Sequence, residues 1–305
     1  MLLFTLLFRQ VTHAVDHLDL SIFWNNISQK ENIRWIVLVV LLMPANWLIE
    51  TRKWQILLEP FHTWPYLRCL RAVLVGLSVG IITPNRIGEI GGRLLMARKE
   101  EASGVVTSFL LGGIAQWMAF ALLALPALLW VGGTWLPEAW QNIRWVLFPL
   151  GPLFLFVLWW GGIPLLKQLL VLFDKRWGID AQILIEAFDN VNFVLLARSS
   201  AWAAIRFAVY VGQLYLLLYV FGLQLPILEG CAGIATIYFI QAGIPLPPGV
   251  NFLTRAELGI LLWGQTPLVT AAVVAAFATL FFVNVLLPAI FAYWLVVKKL
   301  KDYAE

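Results

Sequence analysis

The chain of 305 residues is 61% hydrophobic and 12% charged, with a formal net charge of +4; soluble globular proteins carry about a quarter of their residues charged. A soluble fold is excluded, and so is a large extramembrane domain. At about 20 residues per span the length accommodates roughly seven or eight membrane segments with their connections, in an all-α polytopic integral membrane protein.

The basic excess needs no nucleic-acid partner, because lysine and arginine gather in cytoplasmic connections for topological reasons. The two cysteines, Cys69 and Cys231, and three histidines, His13, His17 and His62, show no metal-ligand spacing, so neither a metal nor another cofactor is expected. Tryptophans such as Trp35, Trp47, Trp135 and Trp294 fall near the ends of apolar runs, as interfacial belts require.

The first residues, "MLLFTLLFRQ", have no basic region ahead of a short apolar run. Residues 1–32 read either as an interfacial N-terminal segment or as the remainder of a truncated first span, and residues 33–305 as the membrane domain. The first strong span runs over about Ile33 to Ile49, with a kink expected near its end at Pro44, and a polar connection follows from Glu50 to Arg71. The basic bias of that connection points to the cytoplasm.

The next apolar run, Ala72 to Thr83, covers roughly 18 Å of a core about 30 Å thick. Basic segments flank it on both sides, so it reads as a broken or re-entrant element. Helices are expected over Val105–Trp130 and Ile143–Leu172, and the connection between them, free of lysine and arginine, reads as extracytoplasmic. The stretch "KRWGIDAQILIEAFDNVNFVLLAR" has a 3.6-residue apolar rhythm and reads either as an interfacial amphipathic helix or as an ordinary packed connecting helix. Spans over Ala201–Phe221 and Pro226–Ile244 precede a second broken region, "GIPLPPGVNFLTRAELG", and a last span over Leu268–Val297. The closing "KKLKDYAE" places the C-terminus in the cytoplasm.

Two constellations carry chemistry. After Pro84, the residues Arg86, Glu89 and Arg93 are three and four apart and share a helical face, with Gly88 among them. Each ionisable group at bilayer depth costs roughly 2.5 to 3.5 kcal/mol, so they require mutual pairing, water or an anionic ligand. A helix starting after the break also directs free N–H groups forward, which suits a phosphate. Topological arginines at lipid headgroups are the plainer alternative. The second region repeats the order of proline, polar residues, an Arg/Glu pair and a short helix, with Pro248, Gly249, Arg255 and Glu257. Two such breaks half a chain apart are the arrangement of a transporter built from two repeats.

A third group, Asn46, Glu50 and Lys53, lines one helix face. Glu50 pairs either with an arginine of the first break or locally with Lys53. Gln116 and Asn284 are lone polar residues of the kind that join membrane helices.

The stretches "NWLIETRKW", "TPNRIGEIGGR", "GGIAQW", "PLPPG" and "RAELG" resemble the lysylphosphatidylglycerol synthase transmembrane, or flippase-like, family, the membrane module of multiple peptide resistance factors. The second motif departs from the family's glycine-richer run, with Val250 and Asn251 beside Gly249. The resemblance implies lipid handling in the bacterial cytoplasmic membrane, without the soluble aminoacyl-transfer domain that makes the synthase. The expected function is translocation of an anionic phospholipid or polyprenyl-phosphate lipid. Arg86, Glu89, Arg93, Arg255 and Glu257 would contact its headgroup, supported by Asn46, Glu50, Lys53, Pro84, Gly88, Gln116, Pro248 and Gly249. No P-loop is present and no catalytic residue is assigned. The alternative is an accessory subunit of a separately encoded lipid-modifying enzyme, or a membrane-embedded transferase acting on a lipid-linked donor.

Overall fold

The computed structural model describes residues 26–81, 83, 87–135, 191–244, 246, 248–264 and 266–294, with scattered positions between 153 and 188. The expected Ile143–Leu172 helix, the extracytoplasmic connection before it, most of the amphipathic segment, the first 25 residues, the C-terminal lysine cluster, Pro84 and Arg86 lie outside them or fall on them only at scattered positions. Every element among the described residues is helical: α1 (Lys30–Leu58), α2 (Tyr66–Gly80), α3 (Gly88–Leu94), α4 (Ala102–Trp135), α5 (Phe193–Val220), α6 (Ile227–Ala242), α7 (Pro248–Trp263) and α8 (Pro267–Phe281). The last continues through a π-helical turn, Phe282–Leu286, to Trp294. Four of these helices are long and apolar enough to cross a membrane. The chain is an all-α integral membrane protein.

Among the described helices a long helix, a short helix, a break, a second short helix and a long helix occur in this order twice, as α1–α4 and α5–α8. The two long leading helices, α1 and α5, pack along each other. Leu41, Ile205, Ile290 and Phe291 are exposed on the outer surface, where the bilayer covers them.

α1 differs from its sequence reading. The helix does not stop at Ile49 but continues to Leu58, and Pro44 lies near its middle. The supposed polar connection is therefore largely helix. Thr51 and Trp54 are fully buried, and Glu50 and Lys53 nearly so. Their charges read as a membrane boundary because a hydropathy count cannot tell a solvated charge from one paired inside the bundle. The actual link to α2 is only residues 59–65.

α2 begins at Tyr66, earlier than the apolar run, and its 15 residues span about 22 Å, still short of the bilayer core. It folds back on α3, and the crossing uses two glycines. A Cβ on Gly92 would stand 2.6 Å from Gly76 Cα and 2.7 Å from the Val75 carbonyl oxygen. Only hydrogen at that position lets the two backbones meet. The hairpin's outer end is tied to α4 by Glu101, which accepts from Arg68 Nη1 and Nη2 at 3.0 and 2.6 Å and from Trp64 Nε1 at 3.0 Å. The Arg68 guanidinium also lies 3.6 Å over the Trp64 ring. This two-pronged geometry is the strong form of an arginine–carboxylate pair.

α5 begins eight residues before the expected span, and Asn192 caps it by accepting from Leu195 N–H at 2.9 Å. The Phe193–Arg198 end of the amphipathic stretch is thus the first turns of a long helix. Gly222, at φ 97°, ends α5; the Leu223 N–H then reaches back to the Leu218 carbonyl at 2.9 Å.

The largest apolar core joins α5, α6, α7 and α8 through Leu214, Leu217, Ile234, Ile237, Ile260, Val273 and Phe277. A separate polar cluster joins α1, α5 and α8. Asn284 Nδ2 donates to Gln213 Oε1 at 2.9 Å, Asn46 Nδ2 donates to the same oxygen at 3.3 Å, and Gln213 Nε2 donates to the Val39 carbonyl at 2.8 Å. Asn284 lies in the π-helical turn, where the widened ladder leaves its carbonyl to accept from Trp47 Nε1 at 3.2 Å. Asn284 is the helix-joining residue that its lone polarity implied, whereas Asn46, read as one of a charged face with Glu50 and Lys53, joins the same cluster.

Candidate functional site

The two broken regions open onto one chamber of about 450 Å³. Its charged wall residues are Glu50 and Lys53 from α1, Glu89 and Arg93 from α3, Arg206 from α5 and Arg255 from α7. Four cations face two carboxylates, an excess of two positive charges among the described residues. Rings of Trp54, Phe109, Trp117, Phe120, Phe207, Tyr210, Tyr238 and Phe252 supply most of the remaining wall, with Gln116, Gln241 and Asn251 as neutral polar groups.

Glu50 is the centre of the first cluster. Its Oε2 lies 2.7 Å from Lys53 Nζ and 3.0 Å from Arg206 Nη1, and its Oε1 lies 3.5 Å from Arg93 Nη2. Arg93 also approaches Glu89 Oε2 at 3.4 Å, one helical turn back on α3. The local pair with Lys53 and the long-range pair with the first break are both realised, because α1 passes beside α3 and α5 at this level. Arg93 stands 4.9 Å from the Trp54 ring and 5.2 Å from Phe109, and Arg206 stands 5.4 Å from Trp47 and from Tyr210. These faces hold the guanidinium groups where little water reaches them.

The second cluster joins α6 to α7. Arg255 Nε donates to Gln241 Oε1 at 2.7 Å, and its guanidinium lies 4.2 Å from the Tyr238 ring. Gln241 Nε2 donates in turn to Asn251 Oδ1 at 2.6 Å, and Asn251 Nδ2 to the Leu246 carbonyl at 3.1 Å. Asn251 thus fixes the end of α6 to the start of α7.

Of the residues expected at the site, Glu89, Arg93, Arg255, Glu50, Lys53 and Gln116 line the chamber. Gly88 supports the first break: its N–H donates to Thr83 Oγ1 at 2.8 Å, and a Cβ there would meet the Val79 carbonyl at 2.7 Å. Glu257 is buried on α7 but is not part of the chamber wall. Asn46 belongs to the amide cluster one turn from Glu50. Pro248 and Gly249 open α7, while Pro84 and Arg86 lie outside the described residues.

Arg206, Trp54, Tyr238 and Gln241 are wall residues that the sequence reading missed. Arg206 had a signal: an arginine within the apolar stretch "AWAAIRFAVY" needs a buried partner or a ligand. The other three had none, since an aromatic or amide in a membrane helix reads as packing. Among the described residues no group of three His, Cys, Asp or Glu side chains is placed to hold a metal ion.

No curated protein and no solved structure matches the chain. The family model described as the lysylphosphatidylglycerol synthase TM region, however, matches residues 1–292, nearly the whole chain, and the protein therefore belongs to that family.

Proposed function

We propose that the protein moves a phosphate-bearing lipid across the membrane, taking its headgroup into the chamber while the acyl or prenyl chains stay in the bilayer. The observation that carries this reading is the convergence of both broken regions on one chamber with two excess positive charges. A guanidinium offers a phosphate paired N–H donors that a lysine cannot match. Broken helices meeting at a central site are a recurring feature of transporters that work by alternating access. Membership of the family gives a membrane lipid role independent support.

In this reading Arg93 and Arg206 hold the phosphate, Glu50 and Glu89 keep those arginines oriented, and Arg255 contributes from the second repeat. Arg86 contributes from the first break. The bacterial cytoplasmic membrane and a cytoplasmic C-terminus fit the distribution of basic residues. A separately encoded lipid-modifying enzyme would supply or consume the cargo.

Lipid exchange by the purified protein in proteoliposomes tests this reading, with headgroup-labelled anionic phospholipid and a polyprenyl phosphate as cargo. Exchange by the wild type, reduced about tenfold or more in Arg93→Gln and in Arg86→Ala, is expected. No exchange of either lipid by well-folded wild-type protein would overturn it.

A further inference from the structure

We infer that the cargo headgroup is a phosphate esterified to a neutral polyol, with the phosphate on the Arg93 cluster and the polyol against the chamber face of α4. The inference rests on the lipid-translocation reading above and adds the class of headgroup.

α4 presents one stripe to the chamber. Phe109, Gly112, Gly113, Gln116, Trp117 and Phe120 are spaced by alternating steps of three and one, the rhythm of a single helix face, and all six line the wall. None of them carries a charge. The stripe begins beside the cationic cluster, because Phe109 stands 5.2 Å from the Arg93 guanidinium. A phosphate held by Arg93 therefore has this neutral face as its neighbour.

The cluster itself lacks an acceptor. Trp54 Nε1 and Arg93 Nε are buried and have no hydrogen-bond partner among the described residues. Trp54 is 0% and Arg93 3% exposed, and both side chains line the chamber. Indole and guanidinium nitrogens donate only, so an oxyanion suits them. The chamber of about 450 Å³ is of a size that takes drug-sized ligands. One phosphate leaves most of it unfilled, and the rest of the headgroup meets what α4 offers.

α4 offers room and an uncommitted amide. A Cβ on Gly113 would meet nothing within 4 Å, and one on Gly112 only Leu57 Cδ1 at 3.7 Å. Gln116, one turn along, makes no hydrogen bond among the described residues. The other two amides of the wall are engaged, Gln241 with Arg255 and Asn251, and Asn251 with the Leu246 carbonyl. A free amide presents both donors and an acceptor, which a hydroxyl group can use in both directions. A bare phosphate or an apolar tail leaves the acceptor unused. Trp117 and Phe120, edge to face at 5.9 Å, close the stripe with flat apolar surface against which the C–H face of a polyol can lie. An ammonium headgroup would instead set a further cation near Lys53, Arg93 and Arg206, and the stripe has no carboxylate to pair with it.

The test is lipid binding to the full-length protein in phosphatidylcholine nanodiscs, read by native mass spectrometry. Two pairs of lipids differ only in the polyol: phosphatidic acid with phosphatidylglycerol, and a polyprenyl phosphate with its hexosyl ester. In at least one pair the polyol-bearing member is expected to bind about fivefold or more tighter, the worth of one or two hydrogen bonds, although it carries no more charge. The pair that responds identifies glycerol or sugar as the source. Gln116→Leu, which removes an amide with no partner to lose, should narrow the preference to below about twofold. Gly113→Leu, which fills the open space on the stripe, should do the same. Bare phosphates binding the wild type as tightly as their polyol esters, or a preference that survives both substitutions, would overturn the inference and leave the lipid-translocation reading standing. A polyol preference abolished in the variants, with no lipid exchange in proteoliposomes, would overturn the translocation reading instead.

Discussion

At the scale of single residues, the decisive fact is that Glu50 serves three cations at once. A carboxylate with 6% exposure, shared by Lys53, Arg93 and Arg206, has been taken out of water and compensated by geometry. Removing it leaves those cations with only Glu89 among the described wall carboxylates. Glu50→Gln, which keeps the shape, should therefore destabilise the folded protein by about 3–5 kcal/mol, measurable as an earlier unfolding transition in detergent. An unchanged transition would mean that water or lipid, not Glu50, neutralises the cluster. Arg93 was legible in the sequence as a charge too costly to be idle, while Glu50 and Lys53 read as a face at a membrane boundary. Their joint geometry was not, because it depends on α1 continuing as helix through a stretch whose composition reads as a connection.

At the scale of elements, the α2–α3 hairpin shows how a short apolar run is made to fold back. Gly92 faces the backbone at Gly76, while a Cβ on the neighbouring Gly91 would meet nothing within 4 Å. The two positions should respond oppositely to the same substitution. Gly92→Ala forces backbone apart and should cost about 1–3 kcal/mol with loss of lipid exchange. Gly91→Ala should be neutral or stabilising by up to about 1 kcal/mol, because alanine favours helix. Thermal unfolding of the two variants beside the wild type checks both, and equal effects would refute the close-approach account. The sequence showed the break through its glycines and charges. Which glycine is indispensable is a matter of which face meets α2, and no count of residues supplies that.

At the scale of the whole molecule, the described helices α1–α4 and α5–α8 present the same order of long and short and bring their breaks to one chamber. A ligand that binds the folded chamber and not the unfolded chain should stabilise the bundle as a unit. An anionic phospholipid or polyprenyl phosphate at about 100 times its dissociation constant should raise the unfolding free energy by about 2.7 kcal/mol, seen as a higher melting temperature, while zwitterionic phosphatidylcholine should leave it unchanged. No shift with any anionic phosphate-bearing lipid would argue against a chamber that binds one. The chain's long uninterrupted apolar runs determined that this is an all-α membrane protein, since a spanning barrel would alternate apolar and polar residues along short strands. The motifs likewise determined which charged residues merit a role, because the bilayer makes every ionisable group expensive. Tertiary structure alone decided that Glu50 and Arg206, 156 positions apart, are 3.0 Å from each other. It also placed Arg255 on the chamber wall and Glu257 off it. The direction in which a helix face points is set by what packs against it, and those neighbours come from distant parts of the chain.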